Sequence, residues 1–136
     1  MLASIAYLLD TNIVSDLIRH PHGSARVRLE AAGVDSVVTS VVVACELRFG
    51  LRKRNSARLT RQAEAVMAAL EILPLPVDAS EAYGRVRHAL ERLGTPIGPN
   101  DLLIAAHALA LDLTLVTDNV GEFKRVKGLR VENWLA

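Results

Sequence analysis

Residues 101–118 read DLLIAAHALALDLTLVTD, and this stretch decides the fold class of the chain. Residues 101–111 predict the most apolar helix of the sequence. Residues 113–117 (LTLVT) follow at once and predict a buried strand. A chain in which helices and strands alternate in this way predicts parallel β-α-β units, and therefore an α/β domain.

The same alternation extends to both sides of this stretch. Residues 5–9 (IAYLL) and 36–40 (SVVTS) predict two more strands, and residues 129–132 predict the last one. Residues 72–76 (ILPLP) predict a short edge strand, because proline cannot donate a backbone hydrogen bond to a neighbouring strand. The sequence shows no linker-like or repeated segment, so we expect one domain over residues 1–136.

Helices are predicted between the strands from apolar residues at helical spacing, and Gly33 and Gly94 are expected to end two of them. The predicted helices cover residues 13–18, 26–32, 41–54, 57–71 and 80–93. The first residues of 41–54 are expected to continue the preceding strand before helical spacing sets in. Phe123 is expected in a short turn.

The composition sets limits on the function. Of the 136 residues, 51% are hydrophobic and 4% are aromatic, and the net charge is +1. A charge so close to zero gives no global attraction to nucleic acid or membrane, so a charged partner must be recognised by local patches. The apolar N-terminal run lacks a positive region and meets Asp10 too early for a signal peptide or membrane span. The single cysteine, Cys45, agrees with a reducing cytoplasm and is expected to be a small core residue.

Acidic residues fall where the predicted strands end. Asp10 follows the first strand, Glu46 lies in the helix after the second, Asp101 begins the apolar helix, and Asp118 follows the strand LTLVT. Parallel α/β sheets bind their ligands beyond the carboxyl ends of the strands. We therefore expect these four side chains to converge.

Converging carboxylates repel one another unless a cation offsets their charge. Carboxylate oxygens suit Mg²⁺ or Mn²⁺, which also bind phosphate oxygens. Such an ion orients a water, lowers its pKa and stabilises the charge that builds on a phosphate under attack. The four acids therefore indicate a phosphodiester hydrolase.

Each acid taken alone has a simpler interpretation. Asp10 can cap a helix, Asp101 can be a first-turn acid, and Asp118 can be a turn residue. Glu46 is harder to explain in this way, because it lies in an apolar stretch where acids are seldom found without a partner. The joint arrangement favours a metal site.

Three stretches carry a family resemblance: LLDTNIVSDL at residues 8–17, SVVVACELRFGL at 40–51, and IGPNDLLIAAHALALDLTLVTDNVGEFKRVKGLRVENW at 97–134. They resemble the PIN-domain ribonucleases, and most closely the VapC toxins of VapBC toxin–antitoxin pairs. The resemblance covers nearly the whole chain. It implies a three-layer α/β/α sandwich with a parallel sheet of about five strands, usually as a homodimer.

By this resemblance Asp10, Glu46 and Asp101 match the three recurrent metal-binding acids of the family. Asn12 matches the polar residue of the D-T-N start, and Thr117 matches a recurrent threonine; we expect both to be candidates for contact with RNA.

The fourth metal position has two candidates. The spacing of the family favours Asn119, whereas the charge that a second ion needs favours Asp118. We predict that Asp118 contributes, through a water, and that Asn119 fixes the loop.

The resemblance also implies a substrate and a partner. It implies endonucleolytic cleavage of structured RNA, in a loop of a tRNA or a ribosomal RNA. It also implies inhibition by a VapB-type antitoxin, and it implies that the chain contacts DNA only indirectly, through this antitoxin.

The stretch RFGLRKRNSARLTR at residues 48–61 is strongly basic. Such runs are usually solvated faces, but this one follows Glu46 closely, so contact with an RNA backbone is an equal alternative. Arg48, Arg52 and Lys53 are the candidates.

The helical hairpin that carries the basic run has a predicted role in binding the antitoxin. Leu47, Leu51, Val66 and Leu70 are expected to form a groove for an antitoxin helix. The alternative is that these four residues only pack the core.

Two residues outside the proposed site are expected to be structural. His107, on the apolar helix, is expected to be a packed and hydrogen-bonded histidine. Trp134 is expected to anchor the C-terminus.

Two other functions remain open at this level. An Asp10-Thr11-Asn12 turn after a strand is similar to the start of haloacid-dehalogenase phosphoryl-transfer enzymes, although Asn12 replaces their second acid and no downstream lysine motif is evident. A receiver-type phosphoacceptor lacks its paired acids here. A metal-dependent module that binds RNA without cutting it is the non-enzymatic alternative.

Overall fold

The structure, a computed structural model, describes residues 4–135, and a parallel sheet of five strands lies at its centre. The strands are β1 (Tyr7–Leu9), β2 (Val37–Ser40), β3 (Glu71–Leu73), β4 (Thr114–Val116) and β5 (Val131–Glu132). Their order is β3-β2-β1-β4-β5, and every neighbouring pair is parallel. The predicted α/β fold with about five parallel strands is confirmed.

Helices flank this sheet and connect its strands. They are α1 (Thr11–Arg19), α2 (Ser24–Ala32), α3 (Val41–Arg54), α4 (Ala57–Ala69), α5 (Ala79–Arg92), α6 (Pro99–Ala110) and the one-turn α7 (Val120–Phe123). A 3-10 turn, Val34–Ser36, precedes β2. Phe123, expected in a turn, ends α7 and is fully buried.

The central strands form the core. Leu8 and Leu9 of β1, and Leu115 and Val116 of β4, are fully buried. Consecutive side chains of a strand point to opposite faces of the sheet, so burial of both members of each pair requires cover on both faces. This accounts for the continuous apolar runs in the sequence.

Two predicted structural residues are confirmed. Trp134 is 2% exposed and its ring packs against Tyr7, with the ring centroids 5.2 Å apart, so it holds the C-terminus against β1. His107 is fully buried on α6, and its Nδ1 lies 2.8 Å from Ser40 Oγ. Among the described residues its Nε2 is the one buried side-chain nitrogen or oxygen without a hydrogen-bond partner.

The boundary between β2 and α3 corrects one prediction. Residues 41–43 were expected to continue the strand, but α3 begins at Val41. Ser40 is its N-cap, and the Ser40 hydroxyl accepts a hydrogen bond from the Val42 backbone N–H at 3.1 Å. This cap outweighs the preference of three successive valines for a strand.

The direction of α3 corrects a second prediction. Cys45 is exposed rather than part of the core, because α3 turns Val42, Val43, Ala44 and Leu47 inward and Cys45 outward. The expected groove of the helical hairpin is also changed. Leu47 and Leu70 are buried in the core, so only Leu51 and Val66 remain partly exposed.

The hairpin ends earlier than predicted. Helix α4 stops at Ala69, and Glu71 is already the first residue of β3. The expected edge position of this strand is confirmed, since β3 lies at one end of the sheet, with Pro74 and Pro76 just beyond it.

Within residues 4–135, no helix combines the length and the apolar character that crossing a membrane requires.

Candidate active site

The chain changes its direction across the sheet between β1 and β4. The chain passes from β1 to β2 and β3 on one side, and then returns to place β4 and β5 on the other. Ligands of parallel α/β sheets bind beyond the carboxyl ends of the strands at such a switch point. Asp10 directly follows β1 there, and Thr117 directly follows β4.

Asp10 joins the ends of these two strands. Its side chain is 4% exposed; Oδ1 accepts a hydrogen bond from the Thr11 N–H at 2.7 Å, and Oδ2 accepts one from the Thr117 hydroxyl at 2.8 Å. Asp10 is also the N-cap of α1, so the capping interpretation and the site interpretation describe the same side chain.

Burial is the largest effect on the pKa of Asp10, and it raises that pKa. The hydrogen bonds from Thr117 and Thr11 lower it, and the neighbouring charges of Glu46 and Asp118 raise it, with a net increase. The position of Asp10 therefore destabilises its ionised carboxylate relative to the protonated form.

Glu46 reaches the same region from α3. The Thr11 hydroxyl donates to Glu46 Oε1 at 2.5 Å, and the Asn100 side-chain amide donates to Oε2 at 3.2 Å. Because α3 begins directly after β2, its first turns carry Glu46 to the carboxyl edge of the sheet.

Asp101 lies in the first turn of α6, beside these acids. Burial, a hydrogen bond with Glu122, and the charges of Asp10, Glu122 and Glu46 together raise the pKa of Asp101 to about 7. A helix N-terminus favours an anion, so burial and crowding outweigh the helix dipole at this position.

Glu122 is a member of this cluster that the sequence analysis missed. Its Oε1 accepts from the Gly98 N–H at 3.2 Å, and its Oε2 accepts from the Asn119 side-chain amide at 2.5 Å. Together with its hydrogen bond to Asp101, these contacts tie α7 to the start of α6. The available signal was an acid three residues after Asn119.

The acids meet at a cavity of about 130 Å³ at this edge of the sheet. Its lining comprises Asp10, Thr11, Asn12, Glu46, Asp101 and Asn119. Asp118 is exposed beside the cavity, and its Oδ1 accepts from the Asn12 side-chain amide at 2.9 Å. Thr117 contacts the cavity through its hydrogen bond to Asp10.

The chemistry of this donor set fits a hard cation. Carboxylate and amide oxygens are the ligands that Mg²⁺ and Mn²⁺ prefer. Burial first, and neighbouring acids second, raise the pKa of Asp10 and of Asp101, so a bound cation would stabilise their ionised forms. In residues 4–135, no three acidic, histidine or cysteine side chains stand close enough together to hold an ion in their present positions.

The basic run is divided between two surfaces. Arg48 and Arg52 line a cavity away from the acids, where Arg48 Nη1 lies 2.6 Å from Glu64 Oε1. Lys53 and Arg54 line a different cavity, which Glu46 also lines. Only this second surface adjoins the acidic residues.

Comparison with known proteins agrees with this geometry. A family model described as PIN domain matches residues 7–129. Ribonuclease VapC2 of Rickettsia felis is 38% identical over 130 residues, which span 94% of this chain and 97% of that protein. The tRNA(fMet)-specific endonuclease VapC of Shigella flexneri is 35% identical over 135 residues, which span 96% and 98%.

A solved structure shares the fold. A chain in the crystal structure of VapBC2 from Rickettsia felis, bound to a DNA fragment from their promoter, superposes with a TM-score of 0.87. The two chains are 36% identical, and the match covers 96% of this chain and 99% of the other.

The pKa of Asp101 predicts how stability depends on pH. Its folded value of about 7 lies above its ordinary value of 3.8, so the folded protein binds more protons between these limits. The free energy of unfolding of the metal-free protein should therefore fall as the pH rises from about 4 to about 8. Asp101→Asn should remove this part of the slope and be more stable at pH 8, by about 1 kcal/mol after allowance for solvent screening of a half-exposed group.

Urea denaturation in EDTA at several pH values measures this effect. Asp35→Asn is the matched control, because Asp35 is exposed and outside the site. If the free energy of unfolding depends on pH equally in wild type and Asp101→Asn, the raised pKa of Asp101 is contradicted.

Proposed function

The chain belongs to the PIN-domain family and, within it, to the VapC ribonucleases, and from this we propose that it is the toxin of a type II toxin–antitoxin pair that cleaves structured RNA. The observation that carries the proposal is the meeting of Asp10, Glu46 and Asp101 at the switch point of the sheet. One domain over residues 1–136 accounts for the activity, in the cytoplasm where the RNA is found.

Asp10, Glu46 and Asp101 would hold Mg²⁺ or Mn²⁺ in this proposal. When bound, such an ion supplies positive charge for phosphate oxygens and lowers the pKa of a water. Thr117 and the Thr11 N–H orient the Asp10 carboxylate, and the Thr11 hydroxyl orients Glu46. The protein thus sets the directions of both acids before a ligand arrives, which reduces the reorganisation that binding requires.

The proposed substrate is a loop of a tRNA or a ribosomal RNA. The name of the Shigella flexneri relative, a tRNA(fMet)-specific endonuclease, supports the tRNA alternative. Asn12 and Thr117 remain candidates for contact with RNA, and Asn12 already holds Asp118 by a hydrogen bond.

The alternative functions have less support. A haloacid-dehalogenase site needs a second acid two residues after its nucleophile, whereas this chain has Asn12 there, which donates a hydrogen bond to Asp118. A non-cleaving RNA-binding module would not need three acids at one cavity.

Replacement of the acids tests the activity. We expect Asp10→Asn, Glu46→Gln and Asp101→Asn each to lower the rate of RNA cleavage by at least about 100-fold, because each removes a negative charge from the reaction centre. Cleavage of labelled tRNA in Mg²⁺ or Mn²⁺ is measured on gels, with circular dichroism as the test of folding.

Glu81→Gln is the control for this experiment, since Glu81 is exposed on α5. Cleavage of tRNA at the wild-type rate by folded Asp101→Asn would contradict the proposed site. Binding of tRNA by the wild type without any cleavage would instead support the non-enzymatic module.

A second experiment concerns the fourth position. We propose that Asp118 contributes charge, because it raises the pKa of Asp10 from the side of the cavity, and that Asn119 fixes the loop through Glu122 and Thr117. We expect Asp118→Asn to shift the Mn²⁺ dependence of cleavage to higher concentration, with a smaller effect for Asn119→Ala.

The opposite result would reverse this assignment. If Asp118→Asn keeps the wild-type rate and Mn²⁺ dependence while Asn119→Ala loses both, Asn119 is the fourth residue.

A VapB-type antitoxin is the proposed protein partner. The similar solved structures from Rickettsia felis and Salmonella typhimurium are VapBC complexes with DNA, which supports this partner. We propose that this chain, with a net charge of only +1, meets DNA through the antitoxin, and that it forms a homodimer. An apolar groove of about 500 Å³, whose lining includes the exposed Val34 and Ala69 and the partly exposed Val66, fits an antitoxin helix.

Co-expression with a VapB-type antitoxin encoded beside this chain tests the partnership. We expect the two proteins to elute together, and cleavage of tRNA to be suppressed, because a helix in the groove would cover apolar surface that is otherwise in water. Val77→Ser, at an exposed apolar site outside the groove, is the control. Separate elution with undiminished cleavage would refute the proposal.

A further inference from the structure

A second cavity adjoins the acidic one. Its volume is about 330 Å³, and Thr11 and Glu46 line both cavities. The second cavity extends from these residues along α1 and α3, past Arg19 and Phe49 to Arg54. The two cavities are therefore neighbours, and the hydrogen-bonded pair Thr11 and Glu46 lines both of them.

An exposed aromatic ring lines this second cavity. Phe49 is 65% exposed, although a phenylalanine gains much free energy from burial. It is three residues after Glu46 on α3, so the two side chains lie on neighbouring positions of one helix face. The ring has no part in the core.

Three cations line the same cavity as the ring. Arg19, Lys53 and Arg54 line the same cavity, and Lys53 Nζ lies 5.3 Å from the centroid of the Phe49 ring. Across residues 4–135, none of these three cations takes part in a salt bridge. Arg48, by contrast, is paired with Glu64 and lines the other surface with Arg52.

We propose that this cleft binds an unpaired segment of the RNA substrate, with one nucleobase stacked on Phe49 and the adjacent phosphates in contact with Lys53, Arg54 and Arg19. Aromatic rings flanked by cations bind single-stranded nucleic acid without strong sequence preference, because every base has a π face and every linkage a charge. A phosphate would draw Lys53 from the ring and leave its face free for the base. The proposal rests on the proposed ribonuclease function.

The position of the acids favours RNA over a protein as the occupant. A strand in the cleft would lead its next phosphate to Glu46 and the cavity that Asp10 and Asp101 line. The unpaired cations would offset the repulsion between this phosphate and the acids. In this proposal the RNA contact falls to Lys53, one of the candidates named from the sequence, together with Arg54 and Arg19, which line the same cavity. Arg48 and Arg52 line the other cavity.

Binding of a short RNA by the full-length protein in EDTA tests the proposal. The probe is an unstructured oligoribonucleotide that carries 2-aminopurine, whose fluorescence is quenched when the base stacks. We expect Phe49→Leu, which removes the ring but keeps an apolar side chain, to weaken binding by about 5- to 100-fold and to abolish the quenching. Phe49→Trp should keep both.

A matched pair of adjacent cations tests the electrostatic part. Lys53→Gln should lower the slope of log K against log salt by about 0.7, as the loss of one phosphate contact on a single strand predicts, and Arg52→Gln should leave the slope unchanged. Thermal unfolding of each variant verifies that these exposed substitutions leave the fold intact.

The outcomes separate this proposal from the proposed function. Wild-type RNA affinity and quenching in Phe49→Leu would overturn the base-stacking cleft even if the protein cleaves RNA. Unchanged RNA binding together with weaker binding of a VapB-type antitoxin would assign Phe49 to a protein contact, and would also overturn it. Failure of the wild type to cleave any RNA in Mg²⁺ or Mn²⁺ would instead count against the ribonuclease function.

Discussion

The hydrogen bond from Thr117 to Asp10 joins the ends of β1 and β4, and the arrangement of the other acids depends on it. These two strands are neighbours in space, although more than a hundred residues separate them in the chain. The bond fixes a buried carboxylate at the one place in the sheet where the chain changes direction. Glu46 and Asp101 then approach from α3 and α6, and the charge of Glu46 adds to burial in raising the pKa of Asp10 and of Asp101. The fold thus holds together groups that repel one another in isolation.

The part of the site that could be predicted is the part that strand ends determine. Asp10 follows β1, Asp101 lies in the first turn of α6, and Glu46 lies in the second turn of the helix that follows β2. The alternation of elements was therefore enough to place these acids at the carboxyl edge. Glu122 could not be found in this way, because its approach to Asp101 depends on α7, a single turn with no periodicity to detect. The order of Asp118 and Asn119 was also beyond sequence reasoning, since it depends on which of two adjacent side chains turns toward the cavity.

The fold was predictable in its class and less so in its boundaries. Three valines after Ser40 favour a strand by propensity, and one serine hydroxyl makes them a helix instead. The basic run shows a similar limit. Its charge was evident, but a helix distributes consecutive side chains around its axis, so Arg52 and Lys53 serve different surfaces. Residue propensity therefore predicts the structure poorly where a helix cap, or the position of a side chain around the helix axis, decides it.

The outer strands are short, and their length affects whether the free protein aggregates at high concentration. An exposed strand edge offers unpaired backbone groups to another molecule and so invites aggregation. Here one edge strand, β3, has three residues and is followed by Pro74 and Pro76, and the other, β5, has two. Neither edge is long enough to recruit a stable strand from a second molecule. The free chain is therefore protected from β-sheet polymerisation by the geometry of its own sheet.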